Sequence, residues 1–105
     1  MITIEKIEEL GWTYKSVWNN RSLYTLNEDS EYMVFEHNGE WGVMDPFKKE
    51  LSLIYCDLSE NEIEQYTELI KMLNNIYENP KNYSFYDFCI TIGNIKEFIS
   101  RMEER

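Results

Sequence analysis

The sequence predicts an α+β protein: an antiparallel β-meander of about five strands, with a short N-terminal helix and two C-terminal helices packed on one face. Three observations predict this fold. Asn38-Gly39 lies between two segments rich in apolar residues, Ser59 precedes a long amphipathic helical pattern, and the strand segments follow one another too closely for helical crossovers. With 105 residues, 43% of them hydrophobic and 15% aromatic, the chain is expected to form one acidic domain, residues 1–105.

A hairpin is the central element of the predicted sheet. Asn and Gly both tolerate the positive φ of a type I′ turn, so Asn38-Gly39 predicts a two-residue loop. Because strand side chains alternate between the two faces, the loop fixes the complete register. Both faces carry large apolar groups, and we therefore expect the hairpin to be covered on both sides. The predicted pairs are His37 with Glu40, Glu36 with Trp41, Phe35 with Gly42, Val34 with Val43, and Met33 with Met44.

Three further strands are predicted around the hairpin. Residues 12–18 and 23–26 have alternating patterns rich in strand-favouring residues, and Asn19-Asn20 forms the turn between them. After a corner at Asp45-Pro46, residues 51–56 are predicted to form the fifth strand.

Helical patterns lie at both ends of the chain. Thr3 is predicted to cap a short helix from Ile4 to Leu10, which ends before Gly11. Ser59 and Glu62 have the spacing of a capping box, and the helix that follows ends at Asn79-Pro80. Its predicted apolar stripe consists of Ile63, Tyr66, Ile70, Leu73 and Tyr77, with Leu69 and Ile76 beside them.

The segment from Tyr83 to Ile92 has two interpretations. Ser84 with Asp87 three residues later would cap a helix, whereas Ile90-Thr91-Ile92 favours a strand. Because of Ile90-Thr91-Ile92, the segment is predicted to form a sixth strand, followed by a last helix that begins at Gly93-Asn94.

The charge of the chain limits its possible partners. Twenty acidic residues against ten basic ones give a formal net charge of −10, and no local basic patch is present. Direct binding to nucleic acid or to an anionic membrane is therefore not expected, and basic proteins are the favoured partners. No apolar run approaches the roughly 20 residues that span a bilayer, and the N-terminus lacks a signal-peptide pattern. We expect a cytoplasmic location in a bacterial host cell.

Catalytic motifs are missing from the sequence. The one histidine, His37, is predicted to pair with Glu40 across the hairpin rather than to act as a base. The glycines are dispersed, and no pattern of metal ligands is present. We expect Cys56 and Cys89 to be two small buried thiols. The chain is predicted not to be an enzyme and to bind no cofactor and no metal.

An acidic run at the start of the long helix is the candidate binding site. Five acids and no base lie between positions 57 and 68, and Glu60, Glu64 and Glu68 recur every fourth residue. On a helix this spacing places successive carboxylates about 6 Å apart along the axis, as a row of anions that arginines and lysines could meet. A solvated face that keeps the protein soluble is the alternative, and for the charge run alone it is the favoured explanation. The predicted partner-binding acids are Asp57, Glu60, Glu62, Glu64 and Glu68.

Aromatic residues are the second candidate feature. Sixteen Trp, Tyr and Phe residues exceed what one small core needs, and Tyr and Trp often anchor protein interfaces. We expect Tyr14, Tyr24, Tyr32 and Trp41 to be partly exposed on the sheet, with Tyr32 and Trp41 contacting a partner. An aromatic-rich core is the alternative explanation.

Two resemblances bear on function. Residues 39–45, followed by residues 51–55, resemble one unit of the tandem WG-type β-repeats of bacteria, which implies a structural role for Trp41 and Gly42. The chain contains no alanine and is rich in Asn, Ile, Lys and Glu, which is typical of low-GC bacteria and their phages. In its general character it resembles small phage anti-defence proteins such as anti-CRISPRs.

The sequence therefore predicts a non-enzymatic inhibitor. Its acidic helix face would occupy the basic surface of a nucleic-acid-handling protein such as a CRISPR effector. Two alternatives remain: an immunity or antitoxin protein that neutralises a toxin through sheet aromatics, and a small enzyme or ligand-binding domain with a pocket around His37.

Overall fold

Two hairpins in series form the sheet. The computed structural model describes residues 2–27, 30–48, 54 and 57–104. A short helix, α1 (Ile4–Glu9), precedes four antiparallel strands in the order β1-β2-β3-β4, and two long helices follow. The strands are β1 (Thr13–Trp18), β2 (Arg21–Thr25), β3 (Met33–His37) and β4 (Glu40–Val43); the helices are α2 (Glu60–Glu78) and α3 (Phe85–Glu103), joined by a 3₁₀ turn (Pro80–Asn82). The predicted α+β meander is confirmed.

Both predicted turns are present, and both have positive φ values, which were predicted for Asn38-Gly39 alone. Asn38 and Gly39 have φ values of 52° and 84°, and Asn19 and Asn20 have values of 49° and 63°. These positive angles are those that a type I′ turn requires. The register of β3 with β4 is confirmed, from His37 opposite Glu40 to Val34 opposite Val43.

The two outer strands of the sheet differ in how their edges are covered. The register of β1 with β2 shifts between Tyr14 and Ser16, so Lys15 is an extra residue in a β-bulge. All six residues of β1 are exposed. On the other side, the amides of Ile54 and Leu58 donate to carbonyl oxygens of β4 at 2.8 and 3.0 Å. Apart from Ile54, the predicted fifth strand at 51–56 lies outside the described residues.

The main core lies between one sheet face and the helices. Alternation along the strands places Tyr24, Val34, Trp41 and Val43 on this face. The opposite face buries Leu23, Phe35 and Met44, which confirms that the hairpin is covered on both sides. The helices and the N-terminal segment complete the main core with Ile2, Ile7, Trp12, Leu58, Ile63, Tyr66, Ile70, Phe98 and Met102.

Three polar side chains form hydrogen bonds inside the main core. The indole Nε1 of Trp12 donates to the Thr67 hydroxyl at 2.9 Å, and that hydroxyl donates to the Ile63 carbonyl at 2.7 Å. The Trp12 and Tyr66 rings stack with centroids 6.1 Å apart. The Tyr66 hydroxyl donates to the Met44 carbonyl at 3.0 Å, which links α2 to the end of β4. Burial raises the pKa of Tyr66, so this donor keeps its proton.

The predicted strand at 83–92 is wrong, because α3 begins at Phe85 and continues through Gly93. Ser84 and Asp87 form the capping box that the sequence left as an alternative: the Asp87 amide donates to Ser84 Oγ at 3.1 Å, and the Ser84 amide donates to Asp87 Oδ2 at 3.2 Å. The strand preference of Ile90-Thr91-Ile92 is a weak tendency that tertiary packing overrides. Thr91, Ile95, Phe98, Ile99 and Met102 form one buried helical stripe.

Helix α2 follows its prediction except at its end. Ser59 and Glu62 form the predicted capping box, with the Glu62 amide donating to Ser59 Oγ at 3.2 Å. Ile63, Tyr66, Ile70, Leu73 and Ile76 are buried. Tyr77, which the sequence placed in the stripe, is 63% exposed, because the turn at Pro80 follows it closely and Ile76 occupies the inward position.

We expect Ser59→Ala to lower the free energy of unfolding by about 1 kcal/mol, because it removes the acceptor for the Glu62 amide. The midpoint of urea unfolding, followed by circular dichroism, measures the change. Ser100→Ala in α3 is the matched control: Ser100 is an exposed helix residue, and alanine has the higher helix propensity. Equal midpoints for S59A and the unmodified protein would contradict the role of the cap.

Candidate protein-binding surface

The predicted acidic row lies on α2, but the chain's own lysines meet two of its members. Glu60 is exposed, whereas Glu64 is partly buried and its Oε1 lies 2.8 Å from Lys6 Nζ. The hydrogen bond and charge of Glu64 raise the pKa of Lys6 above its ordinary value. Glu68 is exposed, with its Oε1 3.8 Å from Lys71 Nζ. The i, i+3 spacing of Glu68 and Lys71 is one that a helix brings together, whereas no spacing within α2 predicts the contact of Glu64 with Lys6.

The two flanking acids have different environments. Asp57 is exposed in the loop before α2 and has a φ of 69°. Glu62 is buried, and its Oε1 accepts a hydrogen bond from the Ser59 amide at 2.9 Å. Its position at N3 explains this placement, because a capping box turns the N3 carboxylate back toward the start of the helix. Glu62 therefore belongs to the cap, and Asp57 and Glu60 remain on the surface.

Helix α3 adds Glu97, a carboxylate that was not among the predicted site residues. A groove of about 420 Å³ runs between α2 and α3, and Glu64 and Glu68 line it from one side while Glu97 and Arg101 line it from the other. Arg101 Nη2 donates to Gln65 Oε1 at 3.4 Å across the groove. Three carboxylates and one guanidinium line the groove, and Lys6 and Lys71 pair with two of these carboxylates, Glu64 and Glu68, at its border. The i, i+4 spacing of Glu97 and Arg101 was readable in the sequence, but the pairing of α3 with α2 was not. We call this feature the α2–α3 groove.

The predicted aromatic surface is only partly present. Trp41 and Tyr24 are buried, so their expected exposure is wrong: both lie on the sheet face that packs against the helices. The Trp41 indole donates to the Ile2 carbonyl at 3.2 Å, which holds the N-terminal segment against β4. Tyr14 and Trp18 are exposed on β1. Tyr32 is partly buried and lines a separate cleft beside the end of α2.

The His37 side chain contacts the turns of both hairpins. Its Nδ1 lies 3.1 Å from the Asn20 carbonyl oxygen, and its Nε2 lies 3.2 Å from Asn38 Nδ2. These contacts fit a neutral ring protonated on Nδ1, which donates to one turn and accepts from the other. The ring therefore links the two type I′ turns. His37 lies opposite Glu40 in the strand register, as predicted, but these two side chains do not form an ion pair.

The described residues offer no group of three or more His, Cys, Asp or Glu side chains that could hold a metal ion. Cys89 is exposed on the outer side of α3, so its predicted burial is wrong, and Cys56 lies outside the described residues. Within the part of the chain that the structure describes, no helix has the length and apolar character needed to cross a bilayer.

The architecture defines a small α+β protein in which a four-stranded antiparallel meander is covered on one face by helices, with a groove lined by three glutamates and one arginine between the last two. Comparisons with protein-family models, with curated proteins and with solved structures find no match to this chain. The resemblance of residues 39–45 to a WG-type repeat unit stays a prediction.

Proposed function

We propose that the chain is a non-enzymatic protein-binding inhibitor that occupies the basic, nucleic-acid-binding surface of a bacterial defence protein such as a CRISPR effector. The observation that carries this proposal is the α2–α3 groove, where Glu64, Glu68 and Glu97 outnumber Arg101. A net charge of −10 adds a long-range attraction for cationic proteins and speeds the encounter with them.

The ion pairs at the groove are compatible with partner binding. Lys6 and Lys71 already place ammonium groups against Glu64 and Glu68, so both carboxylates accept a cationic head in their present positions. Exposed ion pairs contribute little to folding stability, and a lysine can leave such a pair at small cost. An arginine or lysine from the target can therefore replace the chain's own lysine without disturbing the fold.

The test measures release of nucleic acid from the target. Labelled DNA is bound to a panel of purified CRISPR effector complexes, and its fluorescence anisotropy is followed as the protein is added. We expect the protein to displace DNA from at least one effector. The triple variant Glu60→Lys, Glu64→Lys and Glu68→Lys should raise the half-inhibitory concentration about tenfold or more, because like charges then meet at the interface. Raising the salt concentration should weaken inhibition by the unmodified protein.

A matched triple variant separates the effect of charge at the groove from the effect of the net charge of the chain. Glu5→Lys, Glu40→Lys and Glu103→Lys alter exposed glutamates away from the groove and change the net charge by the same amount. Inhibition should survive in this control. Thermal melting of each variant verifies folding, since Glu64→Lys places a second ammonium group beside Lys6. Equal inhibition by the two triple variants would remove the groove from the proposal.

The alternative function, an immunity or antitoxin protein, has one observation in its favour. Strand β1 exposes Tyr14 and Val17 on one face of the sheet and Trp18 on the other, and Tyr and Trp are residues that often anchor tight interfaces. Under this alternative, Tyr14→Ala and Trp18→Ala weaken partner binding more than the charge reversal on α2 does. The same panel, extended to toxins encoded near this chain, distinguishes the two functions.

A further inference from the structure

A second cleft, distinct from the α2–α3 groove, lies at the opposite end of α2. It has a volume of about 380 Å³, within the range of roughly 300–1,000 Å³ that is typical of small-ligand sites. The loop before β3 forms one wall with Ser30, Glu31 and Tyr32, and the last turns of α2 form the other with Asn74, Tyr77 and Glu78. We call it the tyrosine cleft.

Hydrogen bonds hold the two walls of the tyrosine cleft together. Asn74 Nδ2 donates to the buried Ser30 Oγ at 3.3 Å, which joins α2 to the loop. The same oxygen accepts a hydrogen bond from the Tyr32 amide at 3.3 Å, so the backbone from Ser30 to Tyr32 is held in place as well. The Ser30 amide donates to the Asn27 carbonyl at 3.2 Å and closes the turn. The shape of the cleft is therefore set by the fold before any ligand enters.

The tyrosine cleft combines aromatic rings with negative charge. Tyr32 and Tyr77 both line the cleft, and burial, followed by the charges of Tyr77 and Glu31, raises the pKa of Tyr32 to about 12. Tyr32 is therefore neutral at physiological pH, and the charge of the cleft comes from Glu31 and Glu78. None of the described residues that line it is basic. The α2–α3 groove, by contrast, contains Arg101 and is bordered by Lys6 and Lys71.

We propose that the tyrosine cleft binds the side chain of an arginine presented by a partner protein, with the guanidinium against the tyrosine rings and between Glu31 and Glu78. A cation over an aromatic face is attracted by the negative charge of that face, and two carboxylates reinforce the attraction. Charge complementarity thus selects a cation over a neutral or acidic side chain.

The planar shape of the guanidinium favours arginine over lysine. A flat cation stacks on a tyrosine ring while its five N–H groups donate to acceptors at the edge. Glu31 and Glu78, whose carboxylates can accept such hydrogen bonds, are among the residues that line the cleft. A lysine ammonium presents three donors at one point and cannot bridge acceptors on both walls in this way.

The proposal is tested by an NMR titration of the full, ¹⁵N-labelled chain. The probe is Nα-acetyl-arginine methylamide, in which the side chain carries the only charge, and the neutral isostere is Nα-acetyl-citrulline methylamide. We expect saturable amide shifts confined to residues 30–32 and 74–78, with a dissociation constant in the millimolar range that is usual for a ligand of this size. The citrulline compound should bind at least about tenfold more weakly, because it lacks the charge.

Variants locate the site. Tyr77→Ala should weaken arginine binding about three- to fivefold, and Glu31→Gln with Glu78→Gln about tenfold. Tyr77 is 63% exposed and both glutamates are exposed, so these changes leave the core intact. Tyr86→Ala, at a tyrosine that is 71% exposed on α3, is the matched control and should bind as the unmodified chain does.

Three outcomes would overturn the proposal: equal binding of arginine and citrulline probes, shifts that spread over the surface, or unchanged affinity in the Tyr77 and glutamate variants. Shifts confined to residues 61–69 and 94–101 would also overturn it while supporting the α2–α3 groove. Failure of the cleft is thereby distinguished from failure of the proposed function, which is measured separately by release of DNA.

Discussion

Replacement of Trp12 by alanine is expected to remove a large share of the stability of the fold. Trp12 is 0% exposed in the main core, where its ring stacks on Tyr66. Truncation of a buried Trp costs about 3–5 kcal/mol through lost burial and the cavity left behind. Small domains are stable by only about 5–15 kcal/mol in total, so this variant should be largely unfolded in mild urea.

Urea unfolding followed by far-ultraviolet circular dichroism measures this loss. Trp18→Ala is the matched control, since Trp18 is 41% exposed on the outer strand and its loss should cost less than about 1 kcal/mol. Similar midpoints for W12A and W18A would show that the Trp12 contacts do not hold the helices on the sheet.

Thr67→Val is the second large effect that we expect. Valine has nearly the same shape as threonine, so packing is retained, but the Thr67 hydroxyl is the acceptor for Trp12 Nε1 at 2.9 Å. Its loss leaves an indole N–H buried without its partner, which costs about 1–3 kcal/mol. The lost hydrogen bond to the Ile63 carbonyl adds little, because that carbonyl also accepts within the helix.

Thr67→Ser separates the contribution of the hydroxyl to stability from the contribution of the methyl group. Serine keeps the hydrogen-bonding oxygen and should lose only the smaller contribution of the methyl. Combining Thr67→Val with Trp12→Phe tests the pair directly, because the valine should cost less once the indole N–H is gone. Additive losses in this cycle would mean that the buried hydrogen bond does not couple the two residues.

Much of the sheet could be predicted because its determinants are local. Asn38-Gly39 fixes the loop of the central hairpin, and a side-chain period of two then fixes every pair. The same alternation could not say which face meets the helices, since both faces are apolar. Trp41 was for that reason expected on the surface, although it lies in the main core.

The start of α3 shows where local rules conflict. Ser84 and Asp87 favour a helix start, and Ile90-Thr91-Ile92 favours a strand. Only the packing of Ile95 and Ile99 against Leu73 of α2, which is a contact distant in sequence, decides between them. Once helical, the segment adds Glu97 and Arg101 to the groove.

The spacing of the acidic run was enough to assign it to one helix. It did not reveal which side chains from elsewhere in the chain would contact the glutamates. Lys6 meets Glu64 from the other end of the chain, and no periodicity within α2 contains that information. The tyrosine cleft was missed for the same reason, because Tyr32 and Tyr77 come together only when the loop before β3 packs on the end of α2.

The irregular first strand has a consequence for the behaviour of the protein in solution. A flat outer strand with bare amides and carbonyls is a template on which another molecule can extend the sheet, and repetition of that step leads to fibres. The bulge at Lys15 interrupts the regular edge of the strand and adds an exposed charged residue to it. The protein can therefore display tyrosine, valine and tryptophan along that strand and still resist self-association.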